Sequence, residues 1–240
     1  MPVDVDDPST WPAEMLAWVR GFAERGESVD EMDIALVERE HELRVLLTRH
    51  RLLAYHCTRL LPHEVADIRR RGLRRLSRAT IDERIAAAFA HGFLTPRLRD
   101  QLLAGTVLDR PRREDRRCRE NIIFLTAGLS TLAERPRNVA NLLEIWGGEA
   151  IYMDHKPGSS VEAQLRQIGV PSIVECACRI RLDEQDWASP LAAAMVGSFR
   201  GERRDVSVQV ATADIPPSDV LDIWQPGHPD YDRHVGLPRG

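Results

Sequence analysis

Two hydrophobic periodicities divide this chain, and their order constrains the fold more than any other feature. Up to Gly105 the apolar residues recur mostly at helical spacing; from Asn121 onward they alternate, or run together, as strands do. Pro12 opens a helix whose stripe is Met15, Leu16, Val19 and Phe22, with Gly26 as its stop. Ser28 and Glu31 have the spacing of a capping box, starting a longer helix through about Thr48 that carries Ile34, Leu36, Val37, Leu43, Leu46 and Leu47. Residues 1–50 are therefore expected to form a helical arm or lid. The short run LLAYHCT follows, then Pro62 opens a helix with Val65 and Ile68 inward and Gly72 as its stop. Thr80 with Glu83 reads as a second capping box for a helix ending near Gly92, and Thr95 with Pro96 starts a third helix ending at Gly105. In the second half NIIFLT, EAIYM, PSIVECACRIRL, DVSVQVATA and VLDIW all read as strands. Along the third, Val174, Cys176, Cys178 and Ile180 share one face and Glu175, Arg179 and Arg181 the other. The expected class is α+β, helices first and a mostly β second half.

Composition excludes several classes. A chain of 240 residues, 43% hydrophobic with a formal charge of -4, is neither disordered nor broadly basic. Its length suits one large domain, here residues 51–240, with the arm added. The four cysteines have no CxxC spacing and no histidine pair at metal distance, so no metal site is expected. Neither GxGxxG nor GxxxxGK[ST] occurs, which removes the Rossmann and P-loop readings. The start of the chain lacks a basic-then-apolar signal, and no apolar run approaches the roughly 20 residues of a membrane span, so a soluble cytoplasmic protein is expected.

Lys156 is the only lysine, so the chain's cationic chemistry is guanidinium chemistry. The arginines form two clusters. Arg69, Arg70, Arg71, Arg74, Arg75 and Arg78 surround the end of the helix after LLAYHCT and are little diluted by acids nearby in sequence. Arg110, Arg112, Arg113, Arg116, Arg117 and Arg119 are interleaved with Asp109, Glu114, Asp115 and Glu120, which cancel much of their field. The first cluster is the expected phosphate site. Among the histidines, His63 at a helix start is expected on the surface, and His155, His228 and His234 have no partner at a telling spacing. Trp146 is expected in the core.

Tyr55-His56-Cys57-Thr58, followed by the helix around Val65 and Ile68 and then Gly72-Leu73-Arg74, resembles the entry to the ADP-ribosyltransferase fold. In its poly(ADP-ribose) polymerase and diphtheria-toxin branch a His-Gly-Thr strand precedes a helix ending in Gly-Leu. NIIFLTAGLS is similar to the next core strand, with Phe124 at the aromatic position. A helix over about Pro136 to Glu144 leads into WGGEAIY, similar to the strand after that, and PSIVECACRI and DVSVQVATADIPPSDVLDI resemble the closing strands. The resemblance covers about residues 51–225 and implies a divergent bacterial, toxin-like member with a split β-sheet core.

That family consumes NAD. The resemblance implies that His56 hydrogen-bonds the adenosine ribose, that Thr58 supports the strand, and that the Cys57 backbone meets the nicotinamide carboxamide. Cys57 stands where the family commonly has glycine. Phe124 or Tyr152 would stack on the nicotinamide, and Tyr55 and Arg74 would complete the NAD contacts. A family glutamate holds the ribose hydroxyl in the oxocarbenium-like transition state; near DVSVQV only Asp205 and Gln209 occur, so Glu149 and Glu175 are the acidic candidates. The implied activity is cleavage of the nicotinamide–ribose bond, with transfer of ADP-ribose to a protein, a nucleic acid or water. Two alternatives stay open: an RNA 2′-phosphotransferase-like NAD enzyme, and a non-catalytic interaction module on the same fold. Residues 1–50 are the expected contact for an inhibitory or oligomeric partner.

Overall fold

Among the described residues the fold has fifteen α-helices and strands, and its second half is not mostly β: a helix at Glu149–Tyr152 replaces an expected strand, and helices at Ser160–Leu165, Leu191–Arg200 and Pro229–His234 were not anticipated. The computed structural model describes residues 1–24, 39, 41–106, 108, 120–129, 132, 137–152, 155–179, 181, 191–202 and 207–235, with backbone only for 137–140, 152 and 207–210. Helix α1 is Ala13–Ala23 and α2 covers residues 41–47. Strand β1, Arg51–Leu60, leads into α3 (Pro62–Arg71), α4 (Arg78–Ala90) and α5 (Pro96–Leu103). Then come β2 (Ile123–Ala127), α6 (Arg137–Glu144), α7 (Glu149–Tyr152), α8 (Ser160–Leu165) and β3 (Val170–Arg179). The chain continues through α9 (Leu191–Arg200), β4 (Ser207–Ala211), β5 (Val220–Trp224) and α10 (Pro229–His234). The strands are ordered β4-β2-β1-β3-β5, so the fold is mixed helix and sheet, as α+β requires.

Two expectations need correction. EAIYM is a helix, not a strand: Gly147 (φ 102°) and Gly148 (φ 65°) turn the chain, and Glu149 opens a single turn that buries Ala150 and Ile151. A five-residue apolar run carries too few periods to distinguish the two. Helix α4 is capped by Ser77, whose hydroxyl accepts the Thr80 amide at 3.1 Å. Thr80 instead donates its own hydroxyl to the Arg75 carbonyl at 3.2 Å, and Glu83 pairs elsewhere. The Gly26, Ser28, Glu31, Ile34, Leu36, Val37 and Ile180 assignments lie outside the described residues, as does the second arginine cluster.

The chain divides into two units. The division runs within β1, between His56 and Cys57, and within β3, between Val174 and Glu175. The first unit holds residues 1–56, 124–134 and 175–211. Here the N-terminus joins the sheet: the Val3 amide donates to the Arg51 carbonyl at 2.7 Å, and the Leu53 amide returns to Val3 at 2.8 Å. Helix α1 buries Met15, Val19 and Phe22, each contributing about 1.5–3 kcal/mol, and packs against α9. Trp18 reaches α2 by donating its indole N–H to Glu42 at 3.0 Å.

The second unit holds residues 57–123, 135–174 and 212–240. Its core gathers Leu61, Ile81, Ile85, Leu98, Leu102, Ile145, Trp146 and Leu165 from β1's exit, α4, α5, α8 and the end of α6. Gly72 ends α3 at φ 80°, and a Cβ there would lie 1.9 Å from the Ile215 carbonyl oxygen. That oxygen already accepts the Leu73 amide at 2.9 Å, so only glycine fits this close approach.

Candidate functional site

Strand β1 carries the residues that the family resemblance selects. Leu52, Ala54, Tyr55, Cys57, Thr58 and Leu60 are buried, while His56 is half-buried. Buried residues therefore lie on both faces of β1, which has β2 and β3 as its neighbours in the sheet. The His56 Nδ1 lies 2.9 Å from the Phe124 carbonyl oxygen. A carbonyl can only accept, so Nδ1 carries the proton and, in the neutral ring, Nε2 presents a lone pair. Tyr55 pairs with Thr126 across the antiparallel β1–β2 ladder, and the Thr126 hydroxyl donates to the Tyr55 carbonyl at 3.2 Å. Strand alternation then puts the Phe124 ring on the Tyr55 face, opposite the His56 imidazole. Phe124 thus meets His56 through its backbone. Cys57 is buried as a whole residue.

The acidic candidates sit in different surroundings. Glu175 is half-buried on β3 between the buried Val174 and Cys176, the one such position in residues 172–178. Its neighbour Cys176 donates its thiol to the Ala54 carbonyl at 3.3 Å. Glu149 opens α7, where a carboxylate complements the positive end of a helix. Tyr55, His56, Phe124 and Glu175 are brought into the first unit; Cys57, Thr58, Arg74, Glu149 and Tyr152 belong to the second. Asp205 and the side chains of Gln209 and Tyr152 lie outside the description.

The first arginine cluster does not form an open basic field. Arg74 pairs with Glu83 at 2.7 Å, Arg75 with Asp214 at 3.1 Å and Arg78 with Asp82 at 2.8 Å. Arg70 and Arg71 both bond Asp67. Burial pushes the Asp67 carboxyl up, but the Arg71 and Arg70 guanidiniums together outweigh it and hold its pKa below the ordinary carboxylate value. Asp67 lies three and four residues before its partners, one helical turn, whereas Asp214 comes from far along the chain.

Two arrangements were not anticipated. Glu64 is buried and accepts the Leu61 amide at 2.7 Å, the Trp146 indole N–H at 3.0 Å and the Arg84 Nε. The signal was present: Pro62 and Glu64 occupy the first and third helical positions, where a glutamate reaches back to the cap amide. Trp146 is in the core as expected, but as a hydrogen-bond donor too. His63, expected on the surface, has both ring nitrogens buried without a hydrogen-bond partner and stacks on His91 at 4.3 Å. Burial lowers its pKa, and His91 and Arg84 add to this against Glu64 and Asp67.

Among the described residues no group of three or more His, Cys, Asp or Glu is placed to hold a metal ion, and no helix is long and apolar enough to cross a membrane. No protein-family model, no curated protein and no solved structure matches the chain.

Proposed function

We propose that the chain is an NAD-dependent ADP-ribosyltransferase-like enzyme that breaks the bond between nicotinamide and ribose C1′ and transfers ADP-ribose to a macromolecule or to water. The observation that carries this reading is the state of His56: half-buried on an interior strand, with Nδ1 committed to a backbone carbonyl. Nε2 is then the acceptor side of the ring, suited to a ribose hydroxyl, the role the resemblance assigns. The electron pair of the broken bond leaves with nicotinamide, and the C1′ cation is captured by the acceptor's oxygen or nitrogen. A carboxylate must stabilise that cation. Glu175 suits this better than Glu149, because Glu175 shares a unit with His56 and Glu149 is accounted for by its helix start.

The arginine pairing supports the RNA 2′-phosphotransferase alternative less well, since a polyanion would have to displace Asp67, Asp82, Glu83 and Asp214 from their partners. The test is nicotinamide release from NAD by the full chain, with His56→Ala and Glu175→Gln alongside. Release by wild type that falls at least about a hundredfold in both variants supports the proposal. No release by wild type, with RNA or protein acceptors present, overturns it.

A further inference from the structure

The segment of β1 that would meet NAD is short, and its exit is held unusually firmly. Immediately after Cys57 and Thr58, the Arg59 carbonyl accepts Arg84 Nη2 at 3.0 Å. The Arg59 guanidinium donates to the Ile168 carbonyl at 2.6 Å and to the Leu143 carbonyl at 3.2 Å. Two residues later the Leu61 amide is held by Glu64 at 2.7 Å. Glu64 is in turn bonded by Arg84 and by Trp146, and the Arg84 guanidinium lies over the Trp146 ring, 4.9 Å from its centroid. The far side is equally tight: a Cβ at Gly169 would come within 3.1 Å of the Leu60 carbonyl oxygen.

One planar guanidinium therefore makes two connections at once. Arg84 Nε satisfies a carboxylate whose side chain is 10% exposed, while Nη2 fixes a main-chain carbonyl one residue beyond Thr58. Arginine's rigid fork can do both; a lysine ammonium can neutralise Glu64 but does not reproduce the second, coplanar bond.

We propose that Arg84, anchored by Glu64 and Trp146, is a positioning residue that holds the Cys57–Thr58 backbone in register for NAD. The proposal rests on the reading of β1 as the NAD-binding strand. It extends that reading to a residue on another element, which makes no contact with His56 among the bonds described here. If Arg84 serves only to stabilise the fold, its replacement lowers the folded fraction, so apparent kcat falls and KM stays. If Arg84 positions the strand, the folded molecules bind NAD in a displaced frame, so KM rises and kcat is largely kept.

Two readouts on the full chain separate these outcomes. In Arg84→Lys, amide hydrogen exchange at Cys57, Thr58 and Arg59 is expected to speed up at least about tenfold, with exchange in α1 unchanged. In nicotinamide release, the same variant is expected to raise KM for NAD about tenfold with kcat within about twofold. Arg99→Lys, which alters an exposed pair with Asp100, is the control and leaves both readouts unchanged. Glu64→Gln, which keeps an acceptor for Leu61 and loses the charge facing Arg84, gives the same two readouts if Arg84→Lys does not fold. Unchanged exchange at residues 57–59, or a fall in kcat at constant KM, overturns the positioning role. Faster exchange in a chain whose wild type releases no nicotinamide upholds the positioning of the strand and overturns the NAD reading instead.

Discussion

Arginine does opposite things at the two ends of α3. At its C-terminal end Arg70, Arg71, Arg74, Arg75 and Arg78 form pairs with Asp67, Glu83, Asp214 and Asp82 in which both side chains are 26–75% exposed. At its N-terminal end a single pair, Glu64 with Arg84, is 10% and 24% exposed and shares its charge among an amide, an indole and a carbonyl. The chemistry is the same and the consequence is not. Water screens the outer pairs and replaces them cheaply, whereas removing one partner of the inner pair strands a charge in a core. The count of clustered arginines therefore points to the wrong end of the helix for structural weight.

The comparison breaks most readily at Arg84. Arg84→Ala is expected to cost about 3–5 kcal/mol in urea unfolding, because Glu64 is left buried and unpaired; a loss under about 1 kcal/mol would place the inner pair in the same class as the outer ones. Arg74→Ala, which leaves Glu83 on the surface with only the longer Arg71 pair at 4.0 Å, is expected to cost about 1 kcal/mol or less by the same measurement.

Acid sharpens the contrast further. The Asp67 carboxyl is held below its unfolded pKa of about 3.8, so its contribution is complete above that value and is lost as pH falls through the lower, folded one. Asp67→Asn should therefore lower stability at neutral pH in urea unfolding and flatten its fall below about pH 4, so that the variant and wild type converge in acid. The smallest effect is expected from His63, beside Glu64. Its folded pKa lies below the unfolded value of about 6.5, so the unfolded chain binds more protons in that interval, and stability is present above it and lost as pH falls. His63→Phe keeps a ring against His91 and should reduce the slope of stability between about pH 7 and pH 5 relative to wild type; an unchanged slope would show that protonation there does not matter.

Much of the fold is legible where one segment settles its own state. Pro62 and Gly72 bound α3, Thr95 and Pro96 start α5, and the apolar runs PSIVECAC and VLDIW mark β3 and β5. The helix LAAAMVGSFR was not anticipated: its buried Leu191, Ala192, Met195 and Val196 recur at helical spacing, but its small residues conceal how apolar one face of α9 is. The glycine pair before Glu149 signals a turn without saying that a helix follows. The site is legible only in part for the same reason. His56 on a strand follows from local pattern, but the bond from its ring to Phe124 spans 68 residues. The Trp146 bond to Glu64 spans 82, and that from Arg75 to Asp214 spans 139. Local spacing carries no information about such pairs, and they decide which charges are available to a ligand.

The central claim is that NAD binds along β1 through His56, and calorimetric titration of NAD into the full chain tests it most directly. A saturable heat for wild type that disappears in His56→Ala, with both proteins showing the same unfolding midpoint, is the result expected. Equal heats in the two proteins, or no heat for wild type at millimolar NAD, would contradict it.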